Sequence, residues 1–256
     1  MSRDSVLRHV LITGASGAIG RALALAYAAP GVTLSLTARD APRLQETVER
    51  CRQRGAAVIS ATLDITDTAA LMQWVVARDE AMPIDLAIAN AGMTSAIGDD
   101  GQAEPWSRVE QLFQVNLIGA VASVHPLLER MAQRGNGQIG LMSSLGGYVG
   151  MPISPAYNAS KAALKVYGAG LRGWLAPQGV RVSVICPGFV ASAMSDAYPG
   201  PRPFLLTAER AARIVRKGLA GNRAVIAFPL PLALTMRFLA LLPTDWSLAL
   251  QRLFNY

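Results

Sequence analysis

A doubly wound α/β domain, with a parallel sheet and helices on both faces, is the fold this sequence predicts. Three observations carry the prediction. Short apolar, strand-like runs alternate with helical runs along most of the 256 residues, a pattern that joins parallel strands through crossover helices. The first strand breaks into a glycine turn that opens a helix, Gly14 to Gly20, as a strand–turn–helix unit requires. Later strand-like runs stop at small or polar residues, Asn90-Ala91-Gly92, Ser143-Ser144 and Pro187-Gly188. In such a sheet the strand ends gather along one edge, and ligands bind there.

Composition narrows the class. One domain of 256 residues buries a large core. Hydrophobic residues make up 52% and the mean hydropathy is +0.30, which excludes disorder and leaves an apolar surplus to be located. Two cysteines, Cys51 and Cys186, no CxxC and two histidines support neither a disulfide framework nor a metal site. A reducing, cytoplasmic compartment fits this usage. The start, MSRDSVLRHVLITG, carries no apolar run of signal-peptide length. The net charge of +7 falls mostly on two helical segments, 43–54 and 210–217, without interleaved aromatics. Solvated helix faces account for it, nucleic acid is not expected, and an anionic cofactor would use part of it.

Taken in order, 9–14 (HVLITG) reads as a buried strand and RALALAYAA as the helix after the glycine turn, closed by Pro30-Gly31. The turn aims backbone N–H groups and the positive helix end at a pyrophosphate. The second strand, 32–37, ends at Ala38-Arg39-Asp40, where the adenosine ribose of a dinucleotide would lie. Arg39 suits a 2′-phosphate, and Asp40 is placed to cap the next helix, so NADP(H) is preferred over NAD(H). A helix over 42–54 leads through Gly55 into a third strand ending at Asp64-Ile65. A helix over 69–78 and a strand over 84–89 follow. The next helix, about 106–131, holds Asn116 between apolar Val115, Leu117 and Ile118, which gives that amide a buried role. Gly135-Asn136-Gly137 then turns into the fifth strand, QIGLMSS.

Around Tyr157-Asn158-Ala159-Ser160-Lys161 the chemistry concentrates. Tyr157 and Lys161 are four apart, so on a helix they project from one face about 5–6 Å from each other. An adjacent ammonium lowers a phenol's pKa from about 10, toward the range useful for proton transfer. Taken alone the pair is ordinary surface decoration; its company gives it meaning.

That company resembles the short-chain dehydrogenase/reductase family, its single-domain branch of roughly 250 residues. The resemblance covers about residues 7–221 and rests on the TG-initiated glycine turn, Asn90-Ala91-Gly92, Asn116, Ser144, YNASK at 157–161 and Pro187-Gly188 after RVSVIC. It implies a Rossmann-like fold and an oxidoreductase interconverting a carbonyl and an alcohol. Tyr157 would be the proton donor or acceptor, and Lys161 would lower its pKa and hold the nicotinamide ribose. Ser144 would bond the substrate oxygen, and Asn116 would hold a water that relays protons from Lys161. Gly14, Ser16, Gly17, Ile19, Gly20, Arg39, Asn90, Ala91 and Gly92 would bind the cofactor, Asp64 and Ile65 its adenine, and Pro187, Gly188, Val190 and Ser192 its carboxamide end. Two positions depart from the branch: Ala18 stands where glycine is usual, and Ser192 where threonine is commoner. The glycine spacing also resembles a longer branch acting on nucleotide sugars. An epimerase-like enzyme and a catalytically idle NADP(H)-binding sensor or scaffold are therefore the alternatives to the reductase.

After Pro187, a run rich in proline and apolar residues, about 189–207, reads as a mobile lid over an apolar substrate. Residues 1–223 form the catalytic domain on this reading, and 224–256 an apolar tail. Pro229 and Pro231 limit its first helix to about a dozen residues, too short to cross a bilayer of about 30 Å. In the second, Trp246, Ala249, Leu250, Leu253 and Phe254 share a face. That face is expected to dock within the protein or a homodimer or homotetramer, or else to touch a membrane's inner surface peripherally.

Overall fold

The structure, a computed structural model, describes residues 7–97, 102–196, 198 and 200–253. Seven parallel strands form its sheet: β1 (His9–Thr13), β2 (Thr33–Ala38), β3 (Ala57–Thr62), β4 (Leu86–Ala89), β5 (Gly137–Met142), β6 (Val180–Pro187) and β7 (Val225–Phe228). Their order is β3-β2-β1-β4-β5-β6-β7. The chain therefore reverses its direction of travel across the sheet between β1 and β4, and a crevice opens at the carboxyl ends of those two strands. Both central strands are fully apolar where they meet, Val10 beside Leu86 and Ile12 beside Ile88, as strands covered on both faces must be.

Helices cover each face. On one side lie α1 (Ala18–Tyr27), α2 (Ala41–Arg52) and, later in the chain, a helix over Ala208–Ala220, packed through Leu23, Leu44, Val48, Val215 and Leu219. On the other lie α3 (Thr68–Ala81), α4 (Trp106–Phe113), α5 (Ala120–Ala122), α6 (His125–Arg134) and α7 (Pro155–Leu175), packed through Leu71, Leu112, Leu127, Met131 and Leu164. The helix expected over 106–131 widens at Gln114–Gly119 into a π-helical stretch between α4 and α5, and a turn at Ser123-Val124 interrupts it before α6. Asp79 locks this face. Buried at the end of α3, it accepts from Arg130 Nε at 2.6 Å, Arg134 Nη1 at 2.7 Å and the Ile84 amide at 2.9 Å. Desolvation opposes its charge, but those donors win and hold its carboxyl below the usual range.

Past β6, a short helix α8 (Ala193–Asp196) leads to α9 (Ala208–Ala220), β7, α10 (Leu230–Leu239) and α11 (Thr244–Leu253). The sequence reading assigned 224–256 to a tail, yet Val225–Phe228 is a full member of the sheet, paired with Val184–Pro187. Four residues running into Pro229 are too few to show a strand period. α10 buries Leu232, Ala233, Met236 and Leu239 and leaves Leu230, Leu234 and Phe238 exposed. In α11 Ser247 and Gln251 are buried and Leu250 packs partly on the cluster formed with α10, whereas Trp246 and Leu253 of the expected docking face are 68% and 77% exposed.

Candidate active site

At the crevice the glycines are compelled by space. Gly14 adopts φ +68°, and a Cβ there would lie 2.7 Å from Ala91 Cα. At Gly20 it would lie 2.1 Å from the Gly14 carbonyl oxygen. Helix α1 thus packs backbone to backbone on the turn that precedes it. Its N-cap, Gly17, offers no side-chain hydrogen bond, so the first-turn N–H groups of α1 are free to meet an anion. Thr13 Oγ1 accepts from the Asn90 and Ala91 amides at 3.1 and 3.2 Å, and Asn90 Nδ2 donates to Thr13 O at 2.9 Å. These bonds stitch Asn90-Ala91-Gly92 to the glycine turn.

From this point a cleft of about 530 Å³ runs along the strand ends. Ser16, Gly17, Ile19, Arg39 and Ile65 line its near end, and Ser144, Tyr157, Lys161, Gly188 and Ser192 its far end. Pro187 and Val190 are also on its wall. Asp64 is not. Its carboxylate accepts from the Thr66 amide and hydroxyl at 2.9 and 2.8 Å, which lowers its pKa and turns it into the local loop. It stands 3.9 Å from Arg39. Asp40 caps α2, accepting from the Arg43 amide at 3.0 Å. Arg43 lines the cleft beside Arg39, a second guanidinium that the sequence reading left within a solvated helix; its place in the first turn after Asp40 was the available signal. A bare helix N-terminus, a turn closed to any side chain and the guanidiniums of Arg39 after β2 and Arg43 in α2 together fit an anionic dinucleotide.

The reacting end is built on α7. Pro155 at the first helical position fixes its start, and Tyr157 and Lys161 rise from the first two turns. Lys161 Nζ lies 5.9 Å from the Tyr157 ring centroid and donates to the Met142 carbonyl at 2.9 Å. Ser143 Oγ donates to Lys161 O at 2.7 Å, pinning the helix to the end of β5. Ser144 Oγ accepts from the Gly146 amide at 3.1 Å and donates to Pro187 O at 3.5 Å, close enough to the Tyr157 hydroxyl to pull its pKa down.

The expected acidification of Tyr157 does not hold among the protein's own groups. Burial raises the Tyr157 pKa above its ordinary value against the pull of Ser144, and burial lowers Lys161 to about 8. Each charged form is short of water, and desolvation outweighs their mutual attraction. Cys186, beside both, is itself pushed up to about 11 by burial and stays a neutral thiol.

Asn116 sits in the π-helical stretch. Its Oδ1 accepts from the Met93 amide at 2.8 Å, and its Nδ2 donates to Met93 O at 2.9 Å and Ser160 Oγ at 3.1 Å. It does not touch Lys161. The two border the same small space at Gly92, where a Cβ would lie 3.2 Å from Asn116 Oδ1 and 3.3 Å from Lys161 Nζ. Asn158 is a residue the sequence reading gave no role. Its Oδ1 accepts from the Met151 amide at 3.0 Å and its Nδ2 donates to Gly146 O at 2.8 Å, so it holds the 146–151 loop against the site.

Beyond Tyr157 the wall turns apolar, with Met151, Phe189, Met194, Leu232 and Met236. The segment expected as a lid closes on itself through a bridge between Val190 and Leu206. Two bonds secure that bridge: Ala191 N donates to Leu206 O at 2.8 Å, and Leu206 N to Phe189 O at 3.0 Å.

A dinucleotide crevice that ends at a half-buried phenol and hydroxyl beside a buried ammonium defines a nicotinamide-dependent oxidoreductase. The chain belongs to the short-chain dehydrogenase family, whose model matches residues 8–200. It is 36% identical to an uncharacterized oxidoreductase of Myxococcus xanthus over 92% of this chain and 93% of that one. It is 31% identical to 1-deoxy-11-beta-hydroxypentalenate dehydrogenase of Streptomyces exfoliatus over 84% and 81% of the two chains. Among solved structures, a short-chain dehydrogenase from Sphingobium yanoikuyae in complex with NADPH superposes with a TM-score of 0.80 at 28% identity, covering 97% of this chain and 96% of that one.

Proposed function

We propose that the protein is an NADP(H)-preferring carbonyl reductase acting on apolar ketones and, in reverse, on their secondary alcohols. One observation carries the reading: Tyr157, beside Ser144 and Lys161, sits in a cleft running from the Arg39–Arg43 rim to a methionine-rich wall. The near end would hold the cofactor, with Gly14, Gly17 and Gly20 at its pyrophosphate and Arg39 and Arg43 at a ribose phosphate. Bound there, the nicotinamide supplies the hydride that adds to the carbonyl carbon.

The protein's residues manage the oxygen. As negative charge develops on it, Ser144 Oγ donates a hydrogen bond and Tyr157 Oη delivers the proton, giving the alcohol and a transient phenolate. Lys161 stabilises that phenolate. A water in the space at Gly92 would connect Lys161 to Asn116 and return the proton. A phenol that keeps its proton at neutral pH suits the reducing direction, so ketone reduction is the assigned reaction.

Titrating NADPH against NADH and following cofactor absorbance with a panel of ketones tests this. Turnover with NADPH on apolar ketones is expected, and a panel inert with both cofactors would overturn the reading. We further place the enzyme in the cytoplasm as a homo-oligomer, joined through the exposed Leu230, Leu234, Phe238 and Trp246. Light scattering during gel filtration tests that assembly; a monomer that floats with anionic liposomes would assign the surface to a membrane instead.

A further inference from the structure

Behind the apolar wall lies a second cavity of about 380 Å³. It shares Met151, Leu232 and Met236 with the main cleft, so only flexible side chains divide the two spaces. Pro203, Thr235 and Gln251 are among its lining residues, Gln251 reaching it from α11.

Gln251 is 4% exposed. Its Nε2 donates to Gly150 O and Ser247 Oγ, both at 3.3 Å. A carbonyl can only accept, so the amide nitrogen must face Gly150 and Oε1 is left over. That oxygen is buried and has no partner among the described residues. Burying a bare acceptor is destabilising, and native structures seldom retain one without a use. α11 turns Ser247 and Gln251 inward beside a partly buried Leu250 and leaves Trp246 and Leu253 in solvent.

Building on the reductase reading of the main cleft, we infer that this cavity is a tail subsite. The substrate is an elongated apolar ketone, or its secondary alcohol, carrying a hydrogen-bond donor such as a hydroxyl at the end remote from the reacting carbon. The reacting carbonyl meets Tyr157, the apolar chain passes between Met151 and Met236, and Gln251 Oε1 accepts from the distal donor.

The test compares methyl ketones from butanone to dodecanone, and their counterparts hydroxylated at the far end, on the full-length enzyme with NADPH. kcat/KM should rise about threefold per methylene while the chain fills the cavity. The distal hydroxyl should add about fivefold. Thr235→Trp, an exposed position able to fill the rim without disturbing the core, should collapse the dodecanone-to-butanone ratio. Gln251→Leu should erase the hydroxyl preference and keep the chain-length gradient.

A flat wild-type series with butanone reduced would sink the subsite and spare the reductase reading. Calorimetric binding of the matching alcohols to the NADP-loaded protein separates the opposite case: a chain-length gradient in affinity without turnover keeps the subsite and removes the reductase. If Gln251→Leu lowers plain and hydroxylated ketones equally, Gln251 is a structural strut and the acceptor assignment is wrong.

Discussion

The two ends of the cleft are built by different means. At the cofactor end, three glycines, a helix N-terminus and strand ends set the geometry chiefly through backbone, tied by the Thr13 and Asn90 side chains. At the substrate end the wall is side chains, drawn from the 146–151 loop, the segment after Gly188 and α10, which meet only because β7 and α10 fold back past β6. The first construction fixes the position of one ligand class. The second can vary in size and polarity without disturbing the sheet, so specificity belongs to the end made of side chains.

Tyr157 is where the two constructions join, and its loss should have the largest effect. Tyr157→Phe removes the proton donor and leaves the ring's packing, so kcat should fall at least about a thousandfold with the NADPH dissociation constant nearly unmoved. Undiminished turnover would break both the assignment and the division between the ends.

The backbone construction is tested at Gly20. Alanine inside a helix normally gains about 1 kcal/mol over glycine, but here the added Cβ would sit 2.1 Å from Gly14 O. Backbone cannot yield as a flexible side chain can, so Gly20→Ala should lose about 2 kcal/mol net and weaken NADPH binding about a hundredfold. A stabilised, fully binding Gly20→Ala variant, by thermal melt and cofactor titration, would show that the turn is not fixed by close packing.

What could be read from the sequence follows the same division. The glycine turn, Asn90-Ala91-Gly92, Tyr157 and Lys161 are legible because short-range spacing encodes them: a strand end, a turn, one helix face. Asn158 was visible only as a letter inside YNASK, since its partners Gly146 and Met151 lie on a loop without a period. Gln251 meets Gly150 across 101 residues, a separation at which no local spacing or helical period reports a contact. α10, LPLALTMRFL, is apolar nearly all round, which leaves no stripe to say which side docks. The π-helical widening that aims Asn116 inward has no sequence period at all.

Cofactor choice is a smaller effect and sharpens the contrast, because it is a side-chain decision placed on the backbone-built end. Arg39→Asp should weaken NADPH about ten- to a hundredfold and leave NADH binding intact or improved, with Arg43 keeping residual preference for the phosphate. Equal loss for both cofactors would mean that Arg39 acts through Asp64 on the fold and not on the ribose.

Lys161 should give the smallest shift in stability and the least intuitive one. It is 4% exposed, and its pKa falls from 10.5 to about 8 because burial penalises the ammonium. The folded state therefore holds that proton less tightly than the unfolded chain. Below pH 8 the group costs the fold about 3 kcal/mol, and the penalty fades as pH rises from 8 toward 10.5, where the folded protein has already released the proton. Lys161→Met removes the charge and forfeits the bond to Met142 O, worth about 1 kcal/mol. The variant should be inactive yet melt about 4 °C higher at pH 7, with the advantage shrinking toward pH 10. A melting temperature that drops at pH 7 would show that Lys161 holds the end of β5 and α7 together, and that the junction between the two constructions is a structural tie as well as a reacting group.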